Sequence, residues 1–158
     1  MELKLRRVIT GHDANGKATV KIDEPVKNIV SGRPGAISSV IWSTDKFPTD
    51  NTDEFDGSLR KVGTSVDTGT VFRVVKFMPG VAPRNHRTDS IDYAVVMSGE
   101  IDMVLDGTTV RLRAGDVMVQ RGTIHNWINN GTEPCVIAFT LVGAKPVTVG
   151  GKTLNAVG

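Results

Sequence analysis

The stretch PGVAPRNHRTDSIDYAVVMSGE, Pro79 to Glu100, decides how the rest of the chain is read. It sets His86 near the head of a short β-branched run, a carboxylate six residues on at Asp92, and Gly99 at its close. Side chains alternate along a strand, so an unbroken strand puts residues 86, 88, 90 and 92 on one face. A second stretch, GDVMVQRGTIHNWIN from Gly115 to Asn129, opens another strand on His125 behind a glycine turn, with Trp127 and Asn129 sharing its face. Two imidazoles and one carboxylate are the minimal set for a divalent transition metal with open positions for water or substrate. The imidazoles suit iron, nickel, copper or zinc, and the carboxylate also admits manganese. Convergence of His86, Asp92 and His125 does not follow from spacing, because Asp92 can equally accept a hydrogen bond in a turn.

Around these stretches the pattern is β. Residues 70–78, 91–97, 100–106, 108–114, 116–120, 125–129 and 135–142 are short, alternating or compactly apolar runs. Glycine-bearing turn signals separate them, and Asp106-Gly107 between two alternating runs predicts a hairpin. Many short strands at even spacing predict a sandwich or barrel. In the first third, residues 3–10, 17–22 and 36–42 read as strands, and 43–69 as a long polar loop. The division expected is 1–65 as N-terminal strands and loop packing on the barrel or a partner, 66–143 as the barrel, and 144–158 as a surface tail or partner-packing arm.

The two stretches resemble the paired motifs of the cupin superfamily. The first motif runs Gly, five residues, His-x-His, three or four residues, Glu, six residues, Gly. Here it reads Gly80, His86, Thr88, Asp92, Gly99. The second motif is matched by Gly115, Gln120 at a proline position, Gly122, His125 and Asn129, one residue short between Gly115 and Gln120. The resemblance implies an all-β, single-domain jelly-roll barrel with an N-terminal β extension. It also implies a homodimer in which the N-terminal arm is exchanged. The metal ligands it implies fall on His86, Thr88, Asp92 and His125. Thr88 is a poor ligand, more suited to water or substrate, and Asp92 is one methylene shorter than Glu. The metal set expected is therefore His86, Asp92 and His125, with Thr88 as a fourth catalytic residue.

Composition narrows the function. The net charge of +2, with lysine and arginine scattered, gives nucleic acid no basic patch to bind. No apolar run is long enough for a transmembrane helix, and the first sixteen residues do not read as a secretion signal. The single cysteine, Cys135, reads as a buried small hydrophobe and fits a reducing compartment, the cytoplasm. Trp127 is expected to line the pocket or fill the core. Arg73, inside an apolar strand, reads as exposed at a sheet edge or, facing in, as a partner for a substrate carboxylate. Tyr93 alternates away from Asp92, yet stands with Trp127 and Arg73 as a substrate-binding candidate. Arg84 and Arg87 read as loop and surface residues, and His12 as part of a turn.

The function expected is a small-molecule enzyme, metal-dependent, acting on an oxygenated or carboxylated metabolite by enolate chemistry as a decarboxylase, isomerase or dehydratase. A metal-dependent dioxygenase is the alternative. A metal-free acid–base enzyme and a non-enzymatic binder complete the set.

Overall fold

Branched and aromatic side chains pack well on a pleated surface, and the runs rich in them form strands. The computed structural model describes residues 2–158. Its strands are β1 (Arg6–His12), β2 (Ala18–Pro25), β3 (Ile29–Arg33), β4 (Ala36–Thr44), β5 (Thr70–Phe77), β6 (Ser90–Ser98) and β7 (Glu100–Val104). They continue as β8 (Thr109–Arg113), β9 (Val117–Arg121), β10 (Asn126–Ile128), β11 (Cys135–Gly143), β12 (Val147–Val149) and β13 (Lys152–Leu154). One 3₁₀ turn, Gly57–Leu59, interrupts the polar loop.

A six-stranded antiparallel sheet runs β3-β4-β5-β11-β6-β9, beside a three-stranded sheet β10-β7-β8. The late strand β11 lies between β5 and β6, the out-of-sequence neighbour expected of a jelly roll. The core joins both sheets: Val71, Phe77, Val96 and Ile137 from the larger meet Ile101, Met103, Leu112 and Trp127 from the smaller. Gly99 makes the tight turn from β6 to β7 with φ of 74°, and any Cβ there would collide with the Pro134 carbonyl. Cys135 is fully buried, as expected, and burial pushes its thiol up to about 11.

The outer face of the large sheet is covered on one side by the chain's own N-terminal segment. Leu3, Leu5 and Val26 pack there on Ile37, Ile41 and Val74. Arg7 locks this cover in place. Its guanidinium donates to Glu24 at 2.8 Å and to Asp56 at 2.6 Å, tying β1 to β2 and to the polar loop.

Two boundaries differ from expectation. The barrel starts before residue 66, because β3 and β4 join the six-stranded sheet; β4 hydrogen-bonds along β5 from Ala36 to Thr44. Residues 144–158 are not a free tail. They fold into the β12–β13 hairpin, and Val157 then bridges Arg87 through two backbone hydrogen bonds of 2.9 and 3.0 Å. No helix among the described residues is long and apolar enough to cross a membrane.

Candidate functional site

Inside the barrel lies a cavity of about 250 Å³. His86 precedes β6 and His125 precedes β10, and the backbone joins them as an isolated antiparallel bridge. His86 N donates to His125 O at 3.0 Å, and His125 N to His86 O at 2.9 Å. The ring centroids are thereby held 4.2 Å apart.

Each ring is anchored in the same way. His86 Nδ1 lies 3.0 Å from the Arg84 carbonyl and His125 Nδ1 lies 2.9 Å from that of Thr123. A carbonyl only accepts, so Nδ1 carries the hydrogen in both rings and Nε2 keeps its lone pair. Burial favours the neutral rings. It pushes His86 down to about 4, against the raising effect of the Arg84 carbonyl and reinforced by His125, Arg84 and Arg33. Burial lowers His125 as well, with Arg84 and Arg33 adding to it.

Asp92 takes a different course from the one expected. It is buried in the same cavity, but its carboxylate accepts from Ser90 Oγ at 2.6 Å, and Ser90 is linked to Thr88 Oγ1 at 2.8 Å. Thr88, Ser90 and Asp92 thus form a row of bonded oxygens along one strand face. Burial raises the Asp92 carboxyl, opposed by the Ser90 hydrogen bond and by Arg73. Among the described residues no three His, Cys, Asp or Glu side chains gather as a metal-holding group. His86, Asp92 and His125, the expected ligand set, all line the one cavity, with Asp92 not drawn in beside the imidazoles as a three-ligand group. Two anchored imidazoles match two ligands of a catalytic centre. The aspartate side chain is short, and Ser90 bonds one of its oxygens.

Of the other expected residues, Trp127 lines the cavity, its ring edge-on to Phe139 at 5.8 Å and 6.0 Å from the rings of Phe77 and His125. Arg73 is not at a sheet edge: β5 lies inside the six-stranded sheet and Arg73 turns into the cavity. Tyr93 is corrected. It sits on the outer face of β6, 50% exposed, across from Val119 and Thr140 and away from the cavity, so it cannot touch a molecule bound there.

Three cavity residues were missed or misplaced, Gln120, Arg33 and Arg84. Ser90, on the 86–88–90–92 face expected from alternation, lies behind the wall and bonds Thr88 and Asp92. Gln120, at the motif's proline position, places its amide against Thr123 and leaves Oε1 without a partner. Arg33 lies beside a turn and Arg84 in a loop, positions that ordinarily read as surface. The polar loop also reaches this wall, since the Gly63 carbonyl accepts from Arg73 and Thr64 Oγ1 from Arg84. Asn129, by contrast, is structural: it is 1% exposed and spends its amide on the carbonyls of Phe77 and Glu133.

Comparison with known proteins now agrees with this architecture. A family model described as "Cupin domain" matches residues 73–153. The chain belongs to the cupin family. This cupin is 38% identical over 157 residues to the cupin-domain-containing oxidoreductase fogC of Aspergillus ruber, an alignment covering 94% of this chain and 77% of that one. It is also 38% identical to the phomopsin biosynthesis cluster protein C' of Diaporthe leptostromiformis, covering 96% and 85%. Among solved structures it is similar to the Cnp3 cupin domain of Schizosaccharomyces pombe, with TM-score 0.53, 17% identity and coverage of 87% and 86%. The polyketide cyclase RemF of Streptomyces resistomycificus is similar at TM-score 0.52 and 18% identity, covering 77% of each chain. At such identities the two structures speak for the fold alone.

Proposed function

We propose that this cupin is a small-molecule biosynthetic enzyme in which His86 and His125 move a proton on a carbonyl-bearing metabolite. The observation that carries the reading is the matched pair of buried neutral imidazoles, each with Nδ1 anchored and Nε2 free. The names of two relatives, one an oxidoreductase and one a biosynthesis-cluster protein, support an enzyme working on a small molecule.

The chemistry runs as follows. Nε2 of one imidazole takes a proton from a carbon next to the carbonyl, and the C–H electron pair moves into the enolate. A base of lowered pKa is weak, so it suits a C–H already acidified by its neighbours. The imidazolium formed sits beside a second imidazole and near the guanidinium groups of Arg33 and Arg84. It therefore holds its proton loosely and returns it, to another carbon in an isomerisation or to a departing hydroxyl in a dehydration. Phe77, Trp127 and Phe139 give the enolate an apolar wall beside the imidazoles.

The test is solvent exchange followed by proton NMR in D₂O, with a panel of 1,3-dicarbonyl and α,β-unsaturated carboxylic compounds. Wild-type protein is expected to catalyse deuterium uptake at carbon. His86→Gln and His125→Gln are each expected to lose at least about a hundredfold. Exchange that survives in both variants would sink the assignment. The name of the Aspergillus relative favours a second reading, oxidoreduction, and oxygen consumption without exchange would put that reading first.

A further inference from the structure

Three guanidinium groups face the cavity from three separate segments: Arg33 at the end of β3, Arg73 within β5 and Arg84 ahead of His86. Arg6, Arg7, Arg60, Arg111 and Arg113 each pair with at least one acid, whereas Arg87, on the β12–β13 side, bonds backbone oxygen instead. Among the described residues the cavity three hold none at ion-pair distance. Arg33 Nη1 and Arg73 Nε are buried without a hydrogen-bond partner. The partners that do exist are oxygens of the chain itself: the Gly63 carbonyl for Arg73, and Thr64 Oγ1 and the backbone oxygen of Gly158, the last residue of the sequence, for Arg84.

Asp92 is the one acid lining the cavity. Counted as charged, it offsets one of the three guanidinium groups, and Arg33 has no acid beside it. All three are partly buried, so each charge has given up some water, and an entering anion would offset that cost. Guanidinium groups present paired N–H donors that match a carboxylate two at a time. The remaining wall is apolar and partly aromatic, with Ala36, Val75, Phe77, Trp127, Phe139 and Leu141. Phe77 also lies under the Arg33 guanidinium, 5.9 Å from its ring centre, which fixes where that group points.

We infer that Arg33, Arg73 and Arg84 form a carboxylate-binding subsite, so that the ligand of this cupin is a small organic acid with an apolar, flat body. The inference rests on the proposed chemistry only in sharing its cavity, and it names the substrate class for that chemistry. The carboxylate docks on the arginine wall and the body lies against Trp127 and Phe139, which brings its carbons to the imidazole pair.

Calorimetric titration tests this with three probes: cinnamate, cinnamamide and inorganic phosphate. Cinnamate is expected to bind, with cinnamamide and phosphate each at least tenfold weaker. Arg73→Met and Arg33→Met are each expected to weaken cinnamate at least tenfold and leave cinnamamide unchanged, with no fall in melting temperature to mark a damaged fold. Equal affinity for the acid and its amide overturns the inference. So does undiminished cinnamate binding in both variants, or no cinnamate binding at all. Phosphate binding as tight as cinnamate overturns it too, and makes this an inorganic-anion site. The two readings fail separately: carboxylate binding without proton exchange removes the imidazole chemistry and leaves the subsite, and exchange without carboxylate binding does the reverse.

Discussion

Arg7 and Arg73 both lie within strands and both turn inward, yet they live in opposite company. Arg7, 7% exposed, is gripped by Glu24 and Asp56 and lends a further N–H towards the Ile41 carbonyl. Arg73 has the Gly63 carbonyl and a buried Nε with nothing to bond. The N-terminal clasp supplies its own acids, from β2 and from the polar loop. The barrel interior supplies Asp92 alone, and Ser90 already engages it. One region is electrostatically finished by its own sequence; the other is finished only by something that comes from outside.

The hardest blow to this contrast falls on the clasp. Asp56→Ala is expected to cost about 2 kcal/mol in urea unfolding, because it removes the charged hydrogen bonds of a buried guanidinium and leaves Glu24 as the remaining acid. The double change Arg7→Met, Asp56→Leu should recover most of that loss. A neutral Asp56→Ala would erase the difference between the two regions.

Acid separates the regions next. An unfolded histidine takes its proton near pH 6.5, whereas folded His86 is pushed down to about 4. The unfolded chain therefore binds the proton first as pH falls, so stability declines from about 6.5 to about 4 and then levels off. Asp56 behaves as a depressed carboxylate, held low first by the Arg7 hydrogen bond. Its contribution is present above the ordinary carboxylate range and drains away below about pH 4. Urea midpoints measured across pH should thus fall in two stages, and His86→Gln should shrink only the upper one, whose remainder belongs to His125, also lowered by burial.

A smaller effect of opposite sign belongs to the cavity. Ligand-free Arg73→Met is expected to melt about 3 °C higher than wild type by calorimetry, since it removes a partly buried cation that lacks an acid. A drop instead would make Arg73 structural, like Arg7. The smallest effect is on the surface. Arg6 and Asp23 meet at 2.7 and 2.8 Å but stand in water, so Arg6→Ala should shift the urea midpoint by no more than its error.

Much of the barrel was legible because its strands alternate cleanly. Residues 70–78 became β5, 91–97 fell within β6, and 135–142 became β11. Strands β3, β12 and β13 were missed, being three to five residues long and set among glycines and prolines, where local pattern is weak and pairing partners decide. The imidazole pair was legible as two motif positions, but what brings the rings together is a backbone bridge between distant segments, which spacing does not report. The alternation set Asp92 on the cavity face, and what it did not report is the bond from the serine two residues away. Arg33 and Arg84 were illegible because a cation at a strand end or in a loop is ordinarily solvated; only the fold shows both lining the cavity.

The backbone bridge between His86 and His125 bears on how such a protein diversifies. Its two hydrogen bonds join main-chain atoms, and each ring is steadied by a carbonyl two residues before it. No side chain of the cavity wall is needed to hold the pair together. Substitutions at Val75, Phe139 or Leu141 are thereby free to reshape what fits while the imidazoles stay where the backbone puts them. Reactivity descends with the scaffold, and selectivity is left open to drift and selection, so a lineage can change its metabolite without reinventing its chemistry.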